Sequence, residues 1–198
     1  MVRAIVLAAG ASSRMGRAKA ILPLGATGET VLARVIRGLV AGGAPDVTVV
    51  AGAHIDAVRS AMPAHDRNIA VVEHRGWQQG QLSSLIAGLD AVADPQLEAV
   101  LVTLVDVPLV RPDTIAAVLA AWRSTRAPIT RPVDGDRHGH PVVFDRVVFD
   151  ALRAADPRVG AKEVFATYRA RILDVPVKDE GAFIDLDTPE DYERINRS

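Results

Sequence analysis

The 198-residue sequence predicts an α/β fold, a three-layer α/β/α arrangement with helices on both faces of a mostly parallel sheet. Its candidate strands are short, unbroken apolar runs, the pattern of strands covered on both faces. Segments with helical spacing separate them, so strand and helix alternate along the chain. Gly and Pro are dispersed as turn punctuation, with no repeat, linker or low-complexity stretch, and residues 1–198 therefore read as one domain.

Ala4 to Leu7 is the first such run, stopping at Ala8-Ala9-Gly10; Val47 to Ala51, Ile69 to Val72 and Val100 to Val105 follow it. Thr30 is a candidate N-cap for a helix carrying Val31, Leu32, Val35, Ile36, Leu39 and Val40, which ends at Gly42-Gly43. A second helix runs from Ser83 to Val92 on Leu85, Ile86 and Leu89. A third opens at Pro112 and carries Ile115, Val118, Leu119 and Trp122. His54 and Arg59 read as solvent-side residues of a further helix. Beyond residue 126, Pro128, Pro132, Gly135, Gly139 and Pro141 break the chain into short pieces before Val142 to Phe144, an insertion or a late antiparallel excursion. A helix from Val147 to Ala155, a strand from Ile172 to Val177 and a closing helix from Pro189 to Ile195 complete the reading.

The composition excludes several function classes. With no cysteine there is no disulfide framework, thiolate metal site or cysteine nucleophile. A net charge of -1 provides no global field for nucleic acid or an anionic membrane, so neither is expected as a partner. No apolar stretch approaches the roughly 20 residues of a membrane helix, and no charged-then-apolar leader opens the chain. A cytoplasmic protein is the expectation.

Folds of this class bind ligands outside the carboxyl ends of their strands, which points to the loops after Leu7, Glu73 and Val105. Ala8 to Lys19 joins small residues, the Ser12 and Ser13 hydroxyls, and Arg14, Arg17 and Lys19. Small side chains let backbone N–H groups close around an anion, and Arg14 and Lys19 add charge-assisted contacts to phosphate. The loop is neither a Walker A sequence nor a dinucleotide fingerprint. A solvated glycine-rich turn has the same composition, and local chemistry alone leaves both readings open. Ser83 and Ser84 can cap their helix. Asp106, at the end of a buried strand, suits either a magnesium ion or a turn that bonds its own backbone. Thr188, Pro189, Glu190 and Asp191 form a good helix start, which leaves Asp185 and Asp187 unexplained.

Leu7-Ala8-Ala9-Gly10-x-Ser12-x-Arg14-Met15-Gly16-x-x-Lys19, followed by Leu22-Pro23-Leu24, resembles the signature of the MobA-like nucleotidyltransferases, and within them the molybdenum cofactor cytidylyltransferases. Trp77, Gly80, Ser84 and Leu85 match a second motif of that family, in which Gln81 stands where Met is usual. Leu104-Val105-Asp106-x-Pro108 and Asp185-x-Asp187-Thr188-Pro189-Glu190-Asp191 match two more, in family order from one end of the chain to the other.

The resemblance implies a Rossmann-like nucleotidyltransferase sheet and a Mg²⁺-dependent transfer of CMP from CTP to molybdopterin, with release of pyrophosphate. Leu7, Ala8, Ala9, Gly10, Ser12, Arg14, Gly16 and Lys19 would wrap the nucleotide, and Gly80 and Ser84 would meet its base and ribose. Arg14, Lys19 and Asp106 carry the catalysis in this reading. Asp106 and Asp187 bind the metal, with Asp185 as the alternate because strand alternation points both to one face. Ala9, where GTP-using relatives carry Gly, implies cytosine. Gly139-His140-Pro141 and Gly160-Ala161-Lys162 resemble acceptor-side stretches, although His140 also fits a surface turn and Lys162 a helix face. A molybdoenzyme or its insertion chaperone is the implied protein partner. Two rivals remain: a same-fold enzyme with another acceptor, base or a redox role on a small heterocycle, and a non-catalytic nucleotide- or cofactor-binding protein.

Overall fold

The computed structural model describes residues 1–62 and 68–196. In chain order its strands and helices are β1 (Val2–Ala8), β2 (Pro23–Leu24), β3 (Glu29–Thr30), α1 (Val31–Ala41), β4 (Val47–Ala51), α2 (Ile55–Ser60), β5 (Ile69–Glu73), α3 (Gln81–Ala91), β6 (Ala99–Leu104), α4 (Pro112–Thr125), β7 (Ile129–Asp134), β8 (Arg137–His138), β9 (Val142–Asp145), α5 (Phe149–Ala154), α6 (Lys162–Thr167), β10 (Ile172–Pro176) and α7 (Pro189–Asn196). The main sheet has the order β10-β7-β9-β6-β1-β4-β5, with β8 attached to β7. β6, β1, β4 and β5 are mutually parallel, as are β7 and β10, and β9 lies antiparallel between β6 and β7.

Alternation along β1 explains the three layers. Ala4, Val6 and Ala8 face one core with Leu32, Val35, Ile36 and Leu39 of α1 and Ile115, Val118, Leu119 and Trp122 of α4. Ile5 and Leu7 face the other, with Leu82, Leu85 and Leu89 of α3 and Phe149 and Leu152 of α5. A strand buried on both sides has no polar face to alternate, hence its unbroken apolar run. Among the described residues, no helix is long and apolar enough to cross a membrane.

Several predicted boundaries hold. The Thr30 hydroxyl accepts the Ala33 N–H at 3.1 Å, and Gly43 takes φ +91° just past the C-cap of α1. Pro112 opens α4. Thr188 caps α7, accepting the Asp191 N–H at 3.2 Å while the Asp191 carboxylate accepts the Thr188 N–H at 3.0 Å.

Others need correcting. α3 begins at Gln81, so Ser83 and Ser84 lie inside its first turn and do not cap it; the Ser83 hydroxyl donates to the Gly80 carbonyl at 2.7 Å instead. Of the two readings of the broken stretch after residue 126, the late antiparallel excursion holds, since β9 runs antiparallel to β6 and to β7; what that reading lacked is β7 itself, which joins the main sheet. Pro132 is tolerated there because pairing with β9 covers only Ile129 and Thr130. Residues 184–187 are not a strand, so alternation does not place Asp185 and Asp187 on one face.

Candidate active site

Register builds the site. Leu7 of β1 pairs with Leu104 of β6, and the Val105 N–H continues the ladder onto the Leu7 carbonyl at 3.1 Å. The loop after β1 and Asp106 after β6 therefore leave the sheet side by side, although 87 positions separate Lys19 from Asp106. The Leu186 N–H donates to the Asp106 carbonyl at 2.7 Å, and Leu186 is fully buried, which brings Asp187 to the same place.

Lys19 is 8% exposed, on a short turn whose backbone N–H approaches the Ser12 hydroxyl at 3.4 Å. Its Nζ donates to Asp106 Oδ2 at 3.1 Å and to Asp187 Oδ1 at 2.7 Å. Arg14 reaches the other Asp187 oxygen at 3.1 Å. The Lys19 hydrogen bond, and then the two positive charges, hold the Asp187 carboxyl below its ordinary range. Asp185 shifts upward, by burial first and then by the charges of Asp106 and Asp187. Asp106 Oδ1 is buried and has no partner among the described residues.

Arg14, Lys19, Asp106 and Asp187 open onto a cleft of about 400 Å³. Leu7, Ala8, Ala9, Gly10, Ser12, Arg14, Lys19, Gly80, Ser84, Asp106 and Asp187 all line it. Gly16 and Asp185 do not; Gly16 serves the turn, at φ +67°. Gly80, at φ +101°, occupies a conformation that disfavours side chains and starts α3 at the rim of the cleft.

The sequence reading missed two contributors from the loop after β4. The His54 ring nitrogen Nε2 lies 2.8 Å from the Ala11 carbonyl, so His54 braces the first loop and is not a solvent-side helix residue. Gly52 lets Trp77 pack close to that loop: a Cβ there would fall 2.6 Å from the Trp77 Cβ and 2.7 Å from the Ala9 carbonyl oxygen. Both follow a carboxyl strand end, the signal that singled out the other loops.

His140 and Lys162 lie elsewhere, in an adjoining cavity of about 440 Å³ with an apolar floor that includes Leu85, Val142 and Phe165. Arg131 and Arg158 also line it, paired with Asp174 at 2.7 Å and Asp156 at 2.6 Å. Burial pushes the His140 imidazole down, outweighing the Val102 carbonyl and the Asp106 charge, which act the other way. Lys162 is the first residue of α6.

The carboxylate pair suits a hard divalent ion. Magnesium is commonly held by one or two carboxylates together with substrate phosphates. Asp106 and Asp187 already share one cation, the Lys19 ammonium, and Asp106 keeps an orphaned buried oxygen. Among the described residues no group of three or more His, Asp or Glu is placed to hold a metal by itself, so substrate oxygens would complete the shell.

A model of the MobA-like NTP transferase domain matches residues 4–172. A probable molybdenum cofactor guanylyltransferase of Mycobacterium avium (strain 104) is 34% identical over 134 residues, covering 68% of this chain and 64% of that protein's length. The crystal structure of Rv0371c from Mycobacterium tuberculosis H37Rv superposes with a TM-score of 0.84 at 28% identity, over 100% of this chain and 99% of that one. A manganese complex of Rv0371c superposes with a TM-score of 0.75 at 28% identity, over 100% and 98%.

Proposed function

Because the chain belongs to the MobA-like NTP transferase family, we propose that it is a nucleotidyltransferase that moves CMP from CTP to the terminal phosphate of molybdopterin and releases pyrophosphate. One observation carries the reading: Lys19 and Arg14 meet Asp106 and Asp187 at the mouth of the first loop, in a cleft adjoining a second cavity. Cations for a triphosphate, carboxylates for a metal and room for an acceptor thus adjoin one another.

In this mechanism an acceptor phosphate oxygen attacks the α-phosphorus in line. The bond from the α-phosphorus to the bridging oxygen breaks, and pyrophosphate leaves with its electron pair. The acceptor arrives ionised, so no general base is needed, and catalysis consists of positioning and charge stabilisation. Lys19 and Arg14 turn from their carboxylates to the triphosphate oxygens, and the Gly80 to Ser84 turn holds base and ribose. Asp106 and Asp187 would hold a divalent ion, magnesium in this proposal, which would neutralise charge at the phosphates. His140 and Lys162 face the acceptor.

Cytosine follows from Ala9. Ala9 lines the cleft and is only 4% exposed, and a glycine in its place would leave more room for a larger base. The name of the M. avium relative favours guanine as the second reading.

Pyrophosphate release with CTP, GTP, ATP and UTP, with and without molybdopterin, tests both readings. The expected result is acceptor-dependent release with CTP; preference for GTP would replace the base assignment. Nucleotide binding with no release under any acceptor would point to a non-catalytic binding protein. Asp106→Asn is expected to lower release by roughly 100- to 1,000-fold, the loss typical of a transition-state charge contact, while circular dichroism shows an unchanged melting temperature.

A further inference from the structure

Three residues line both the nucleotide cleft and the adjoining cavity: Leu7, Leu104 and Gln81. Only Gln81 is polar. Its position follows from the geometry of α3, whose first turns form the wall between the two spaces. Gly80 and Ser84, four apart and therefore on one helical face, line the cleft. Leu82 and Leu85, three apart on another face, line the second cavity. Gln81 stands on the crest between these faces.

The Gln81 side chain is exposed, and its carboxamide has no hydrogen-bond partner among the described residues. Some of the polar groups near it are already engaged. Ser83 bonds the Gly80 carbonyl, and Arg131 and Arg158 hold carboxylates. A carboxamide carries an acceptor oxygen and two donor hydrogens on one planar group, so it can serve two ligands at once.

We propose that Gln81 determines specificity by bridging the two substrates, with one end of its carboxamide on the nucleotide's base or ribose and the other on a polar edge of the acceptor. The inference rests on the nucleotidyl-transfer reading above and adds to it a physical link between the two sites. Each substrate orders the amide for the other, so the link makes binding cooperative in both directions.

The test is calorimetric, using the α,β-methylene analogue of CTP, with Mg²⁺ and molybdopterin, on the wild type, Gln81→Met and Gln81→Ala. Met keeps the side-chain length and removes both polar atoms, and at an exposed first-turn position neither variant threatens folding; melting temperatures verify this. In the wild type, saturating molybdopterin is expected to tighten analogue binding by about tenfold, within the usual range of coupling between sites. In both variants each ligand alone should bind about two- to tenfold more weakly, the worth of one hydrogen bond, and the coupling should disappear. Coupling retained in Gln81→Met overturns the inference, as does a wild type that binds both ligands independently. A loss confined to one ligand's separate affinity also overturns it, since Gln81 would then belong to one site. A wild type that binds no nucleotide removes the nucleotidyltransferase reading and this inference with it, an outcome distinct from all the others.

Discussion

Lys19 holds both carboxylates that the proposed reaction assigns to a metal, at 3.1 Å and 2.7 Å. Its ammonium is a built-in counter-ion, without which two neighbouring carboxylates would repel each other. Lys19→Met is therefore expected to have opposite effects on two measurements. Mn²⁺ alone, followed by electron paramagnetic resonance, should bind roughly tenfold more tightly, matching the loss of a charge-assisted hydrogen bond of about 1.5 kcal/mol. Pyrophosphate release should collapse, since the triphosphate loses its buried cation. Unchanged Mn²⁺ affinity would show that the lysine and the metal do not compete. At this scale most of the candidate site is legible: Arg14, Lys19, Asp106 and the Asp185/Asp187 pair all stand out as charged residues beside apolar runs or small-residue turns. The choice between Asp185 and Asp187 was not legible. It depends on Leu186 anchoring an irregular segment to the Asp106 carbonyl, a contact between residues far apart in sequence.

Glu29 in β3 joins the hairpin to α1. It accepts from Arg34 at 2.7 Å and from Arg37 at 2.7 and 2.9 Å. The hydrogen bond from Arg37, opposed by burial and assisted by Arg34, lowers the Glu29 carboxyl from its ordinary 4.5 to about 2. A depressed folded-state value means that the charged form stabilises the fold. That contribution is complete above the ordinary value and fades as pH falls through the interval from 4.5 towards 2. Glu29→Gln should cost about 0.5–1 kcal/mol at pH 7, the scale of a partly exposed ion-pair network. Urea denaturation of both proteins should show the difference shrinking below pH 4.5; a constant difference would mean that Glu29 acts through packing instead of charge. Helix starts were readable at Thr30, Pro112 and Thr188 because caps and N1 prolines are local chemistry. The start of α3 carries no such mark, since Gly80 takes the terminal position through its backbone angle alone and offers no side-chain signal. β7 was hidden by Pro132, whose tolerance depends on where a neighbouring strand stops pairing.

Across the whole molecule, the two tryptophans report on different regions. Trp77 lines the cleft proposed to take the nucleotide, whereas Trp122 is 1% exposed on α4 and donates to Asp145 at 3.0 Å. Nucleotide titration should change the emission of the wild type and leave that of Trp77→Phe constant, while Trp122 still reports unfolding in both; a surviving signal in Trp77→Phe would place the nucleotide away from this cleft. The net charge of -1 disfavours polyanions, yet it hides a local balance in which Arg14 and Lys19 sit against two aspartates. By itself the sequence determined the alternating fold class, the buried strands and the charged residues of the first loop, because apolar periodicity, caps and turn residues are properties of neighbouring positions. Only the tertiary structure decided which carboxylate faces the cleft, that His54 and Gly52 support the first loop, and that Gln81 lies between two cavities. Those facts depend on strand order and register, which bring together residues that no local pattern connects.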